Sequence, residues 1–176
     1  QAQEQKYSTY YYQRASLFEK LPVDEDDIVF LGNSITDGAE WAELFNNLNV
    51  KNRGISGDVT LGVYDRLEAI LKGQPAKIFL LIGINDVSRG ISADSIVGNI
   101  RLISEAIGEQ SPSTRLYLQS VLPVNDGFPR FYDHTSRYRM VPEINLKLKA
   151  LAQELNITFI DLFPRFVDDS GIKLDP

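Results

Sequence analysis

Three residues stand out for the chemistry they could do together: Ser34 in GNSIT, Gly57 in RGISGD and Asn85 in IGIND. A serine hydroxyl can attack an ester carbonyl, and the tetrahedral oxyanion that results needs hydrogen-bond donors aimed at it. A glycine lets a backbone N–H approach such an oxygen with no side chain in the way. An asparagine amide supplies another donor. Taken singly, each residue has a structural alternative. Ser34 can cap a helix, Gly57 and the nearby Gly54 can serve turns, and Asn85 can hold an Asx-turn. Their order is the stronger signal, because each block ends an apolar, β-like run. Parallel strands deliver such ends to one rim. The part not seen is a clear general base: the sole histidine among the 176 residues is His134.

The elements that must position these residues alternate along the chain. Ile28–Leu31, Lys77–Ile82, Leu116–Ser120 and Thr158–Ile160 are short apolar runs of the buried-strand type, with a weaker strand around Val50–Asn52. Between them, Thr60–Leu71, Ala93–Glu109 and Val141–Leu155 carry apolar residues at helical spacing. Ile96, Ile100, Ile103 and Ile107 share one face. Ser8–Leu21 reads as a leading helix ended by Pro22, with its tyrosines (Tyr7, Tyr10, Tyr11, Tyr12) expected to pack. The stretch from Pro123 to Tyr138 is the one long loop expected, and long loops in compact domains tend to be functional. Such alternation predicts a parallel sheet covered by helices on both faces.

A length of 176 residues suits a single domain, and 43% hydrophobic with 24% charged residues is an ordinary globular balance. A net charge of −6 argues against nucleic acid as a partner. No run approaches the ~18 apolar residues that a membrane span needs. Without cysteine there is no disulfide, thiol catalysis or Cys-based zinc site, and one histidine is too few for a His-rich one. Asp24–Asp27 is expected to be a solvated acidic stretch before the first strand, and Ser170–Lys173 fits S-x-x-K without its companion motifs. The opening Gln-Ala-Gln would fit a residue left by signal-peptide cleavage, so a periplasmic or secreted location is the expectation.

In VFLGNSITDG, the following EWAELF, NRGISGD, IFLLIGIND and LPVN, the sequence resembles the SGNH, or GDSL-type, esterases and lipases from about Ile28 onward. It is most similar to the branch of platelet-activating-factor acetylhydrolases and sialate O-acetylesterases. The resemblance implies a three-layer α/β/α sandwich with a five-stranded parallel, flavodoxin-like sheet. It implies Ser34 as nucleophile, Gly57 as backbone donor (it precedes Asp58, as the family's donor glycine precedes its aspartate) and Asn85 as side-chain donor. Neither cofactor nor metal is implied. Two departures stand out. Asn33 replaces the family's aspartate before the serine, and FIDLFPRFVDDSGIKLDP reaches Pro176 without the family's Asp-x-x-His. The 1–176 domain is therefore expected to lack that block and the last helix. His134, beside Asp133, is the alternative base, with a surface-loop histidine the plainer reading.

The function implied is hydrolysis of short acyl, particularly acetyl, esters on carbohydrates such as sialic acid. Arg130, Arg137 and Arg139 are candidates to meet a sugar carboxylate, against the alternative of solvated surface arginines. The rival reading is a non-catalytic carbohydrate-binding protein that keeps the pocket but lacks the base. A receiver-like signalling domain fits poorly, because its acidic residues belong after the first strand and here Ser34 stands there.

Overall fold

A computed structural model describes residues 5–127 and 131–175. Helix α1 (Thr9–Phe18) leads into β1 (Ile28–Gly32), then α2 (Ser34–Asp37), α3 (Trp41–Leu44) and β2 (Val50–Gly54). Next come α4 (Thr60–Asp65), α5 (Glu68–Leu71), β3 (Lys77–Leu81), α6 (Ile84–Ser88), α7 (Ala93–Gln110) and β4 (Arg115–Gln119). The chain continues with α8 (Tyr132–Thr135), α9 (Met140–Glu154), β5 (Thr158–Ile160) and a 3₁₀ turn at Phe163–Arg165.

Among the described residues the five strands form one all-parallel sheet in the order β2-β1-β3-β4-β5, the flavodoxin-like order. Register explains which face each helix takes. Val29 pairs with Ile78 and Ile78 with Leu116, and likewise Leu31 with Leu80 and Leu80 with Leu118, making an apolar ladder across β1, β3 and β4. Onto it pack Val63, Leu67 and Ile70 from α4–α5, the four α7 isoleucines, and Val141, Ile144 and Leu148 from α9. Burying each such side chain contributes about 1.5–3 kcal/mol relative to exposure. The opposite face is aromatic. Phe30, Phe79 and Tyr117 are register partners, their rings stacked at 5.0 and 4.5 Å between centroids. Trp41 of α3 stacks on Phe30 at 4.0 Å. Helices thus flank both faces, and the fold is a three-layer α/β/α sandwich. Among the described residues no helix is long and apolar enough to cross a membrane.

Capping explains several boundaries. Ser8 and Ser92 accept from Tyr11 N and Ser95 N at the starts of α1 and α7. Five expectations need correction. The helix expected over Thr60–Leu71 breaks at Arg66 (φ −112°), because its guanidinium turns inward for polar contacts set out below. The leading helix stops at Phe18 rather than running to Leu21. The Pro123–Tyr138 stretch contains the helical turn α8. Asp27 is buried rather than solvated, accepting from Asp24 N (3.0 Å) and pairing with Lys51 (3.3 Å). The tyrosines divide: Tyr11 is buried and donates to Gly62 O (2.7 Å), whereas Tyr10 and Tyr12 are exposed.

Candidate active site

Each of the three sequence blocks lies just past the carboxyl end of a strand. After β1, Asn33 rather than Ser34 caps α2, its Oδ1 accepting from Ile35 N at 3.1 Å. Ser34 is therefore the exposed first residue of the helix, and among the described residues no group hydrogen-bonds its hydroxyl. Asn33 is fully buried and its Nδ2 has no partner there, an orphan donor where the resembling family carries an acceptor carboxylate.

The second block is bolted to the first. Asp37, at the end of α2, accepts from Ser56 N (3.0 Å), Ser56 Oγ (2.7 Å) and Tyr10 Oη (2.9 Å). Asn52 Nδ2 reaches the carbonyls of Thr36, Asp37 and Ala39, so the end of α2 is closed from β2. The two candidate glycines separate cleanly. A Cβ at Gly54 would stand 2.1 Å from Asp37 N, so this glycine serves close packing. Gly57 has φ +82° with open space around its Cβ position, so it serves the backbone turn.

Beneath Gly57 lies a buried ion pair. Arg66 Nε donates to Asp58 Oδ2 at 2.9 Å, Nη1 to Arg53 O (3.0 Å) and Nη2 to Gly32 O (3.1 Å). One guanidinium thereby joins the ends of β1 and β2 to the residue after Gly57. Burial dominates its electrostatics: it pushes the Asp58 carboxyl up from 3.8 to about 6, against the opposing pull of Arg66, and pushes Arg66 down. Because the folded pKa is raised, the native state binds the proton more tightly than the unfolded chain. Stability contributed by Asp58 is thus full below about 3.8 and lost as pH rises through about 6. The carbon-13 resonance of Asp58 Cγ is expected to titrate near 6, and higher still in Arg66→Met. A midpoint at the ordinary carboxylate value would show that burial does not govern this group.

The third block carries Asn85, buried in the first turn of α6. Its Nδ2 donates to Asp58 O at 2.7 Å and its Oδ1 lies 2.9 Å from His134 Nε2. The adjacent Asp86, its carboxyl pushed up chiefly by burial, accepts from Thr60 N and Oγ1, tying α6 to the start of α4.

Ser34 and Asn85 line one cavity of about 610 Å³, with His134 on its wall. The remaining wall is largely apolar, from Ile35, Ile84, Val124, Phe131 and Leu174. Gly57, expected from the order of the three blocks to share that cavity, instead lines a separate recess of about 110 Å³ with Tyr11 and Arg89, and its carbonyl accepts from Arg89 Nη2 at 3.1 Å. His134 is not a plain surface histidine: it is half-buried in the cavity that holds Ser34. Arg137 donates to Val87 O (2.9 Å) and Arg139 lies over the Tyr138 ring, so neither lines the cavity. Arg130 lies outside the described residues. Among the described residues no group of three or more His, Asp or Glu side chains could hold a metal. Sequence reasoning missed Asp58, Arg66 and Asp37 as organisers of the site. Nothing local marks them, since Asp37 and Ser56 meet only when β1 and β2 pair.

The sheet order, with a serine opening the helix after β1 and an asparagine in the first turn of the one after β3, defines an α/β domain of the SGNH hydrolase class. The chain belongs to the GDSL-like lipase/acylhydrolase family, whose model matches residues 30–175. It is 29% identical over 153 residues to human platelet-activating factor acetylhydrolase IB subunit alpha1, covering 84% of this chain and 63% of that protein. The chain therefore spans less than two thirds of the length of the curated relatives it matches. A solved GDSL-like lipase from Bacteroides thetaiotaomicron superposes with a TM-score of 0.81 at 26% identity, covering 94% of this chain and 84% of that one. An acetylxylan esterase from Geobacillus stearothermophilus shares the fold at a TM-score of 0.60 and 20% identity, covering 87% and 88%.

Proposed function

We propose that this protein is a serine esterase that hydrolyses short acyl esters through an acyl-enzyme. The observation that carries the reading is the shared cavity: an exposed serine at a helix N-terminus faces the same space as a buried, oriented asparagine amide. In this reading Ser34 Oγ attacks the ester carbonyl as its proton passes to a general base. The oxyanion is held by the Ser34 N–H and the second hydrogen of Asn85 Nδ2, the first being committed to Asp58 O; the Gly57 N–H, which lines a separate recess, is added on the family resemblance alone. The alcohol leaves with a proton from the base, and water then releases the acid by the same route. The base we propose is the Asp-x-x-His histidine that the family resemblance implies and these 176 residues do not contain.

For the substrate we propose acetyl or similarly short esters of a carbohydrate. The apolar wall formed by Ile35, Ile84 and Val124 suits a small acyl group. Arg137 and Arg139 are engaged elsewhere, so an anionic sugar such as sialic acid has only the resemblance in its favour. In a protein that includes the proposed base, Asn85→Ala is expected to lower kcat for p-nitrophenyl acetate by ~10²–10³-fold, with a much smaller change in KM. A loss confined to KM would remove Asn85 from the oxyanion site.

A further inference from the structure

We propose that His134 is a positioning residue, whose Nε2–H holds the Asn85 amide in the orientation that presents its NH₂ to the oxyanion. The inference deepens the esterase reading and rests on it for the meaning of Asn85. The hydrogen-bond inventory around Asn85 carries it. A backbone carbonyl only accepts, so the atom 2.7 Å from Asp58 O must be the amide nitrogen. The other end of the amide is then its oxygen, which only accepts, and it faces His134 Nε2 at 2.9 Å. His134 must therefore carry its proton on Nε2. That nitrogen is occupied as a donor and has no lone pair free to take the serine proton. The assignment answers the alternative that His134 is the general base through this nitrogen.

The fold around His134 is built to hold it there. Phe131 adopts left-handed backbone angles (φ 60°, ψ 40°) to start α8, and its ring meets the imidazole edge-on with centroids 5.8 Å apart. Thr135 is buried beneath the turn. Just beyond it, the Arg137 guanidinium clamps Val87 O of α6. It lies over Gly90, where a Cβ would come within 2.9 Å of Arg137 Nη1. Both ends of the contact are thus anchored to α6, the helix whose first turn carries Asn85. An amide held at only one end by Asp58 O is free to rock about its side-chain torsions; held at both ends, its remaining N–H is fixed toward the cavity. Oxyanion donors are effective to the extent that they are already in place when charge develops.

The first arm uses the fact that His134 is the only histidine among these 176 residues, so in this chain its imidazole gives a single set of nitrogen-15 signals. Long-range proton–nitrogen correlation of the parent should show the Nε2–H tautomer, and Asn85→Ala should release that preference. A dominant Nδ1–H tautomer would overturn the proposal without reference to activity. In kinetics of a protein that also carries the Asp-x-x-His histidine proposed as the base, His134→Ala should lower kcat for p-nitrophenyl acetate by about tenfold at nearly constant KM, the effect of one lost hydrogen bond. His134→Gln, whose amide N–H can still donate to Asn85 Oδ1, should recover most of it. If Gln is as impaired as Ala the residue acts as a base, and if neither variant is impaired the contact is idle; either result refutes the positioning role. Loss of the esterase reading itself would show instead as activity unaffected by removal of the Ser34 hydroxyl.

Discussion

In a protein that includes the Asp-x-x-His histidine proposed as the base, Ser34→Ala is expected to reduce p-nitrophenyl acetate hydrolysis to the uncatalysed background. Where a complete catalytic set operates, removing the nucleophile costs on the order of 10⁶-fold in kcat. Folding should hardly notice. The Ser34 side chain is exposed, the cap of α2 is Asn33, and alanine is the better helix former. The change in unfolding free energy should stay within about 0.5 kcal/mol. The two readouts together separate a chemical role from a structural one. A serine-reactive phosphonate should label the parent at Ser34 and leave the variant unmodified. Equal hydrolysis by parent and variant would end the esterase reading, because no other residue here is placed to replace Ser34 at the start of α2.

The largest effect on stability is expected from Arg66→Ala. This substitution removes one member of a pair in which both side chains are almost wholly buried, at 5% and 0% exposure. Breaking such a pair from one side typically costs about 3–5 kcal/mol, since the buried carboxyl loses its partner and must either stay charged without it or take up a proton. Here the loss extends to the carbonyls of Gly32 and Arg53, which Arg66 satisfies at the carboxyl ends of β1 and β2. Urea unfolding measures the change directly. The double variant Arg66→Met with Asp58→Asn should recover part of the loss, because the uncompensated charge is gone. An effect below about 1 kcal/mol for Arg66→Ala would mean that water reaches the pair. Esterase activity should fall as well, since the same guanidinium ties the residue after Gly57 to the strand that ends just before Ser34.

What the sequence determined by itself is local and periodic. Strand positions followed from apolar runs, and Thr158–Ile160 appears with the bounds its pattern predicts. The isoleucine stripe of α7 is buried as its spacing requires, because a period near 3.6 leaves a helix only one face for the core. The order of the GNSIT, RGISGD and IGIND blocks was legible for a related reason: each ends a strand, and parallel strands bring their carboxyl ends to one rim. What only the tertiary structure decided are contacts between residues far apart in the chain. Nothing near Arg66 marks it as the bolt beneath Gly57, and its inward turn breaks a helix that periodicity alone reads as continuous. The cap of α2 passed to Asn33 because the chain's approach to the helix, not the residue type, selects the capping position. His134 reads as a loop histidine along the chain. It reaches Asn85 only because α8 folds onto α6, a long-range packing event that no local spacing encodes.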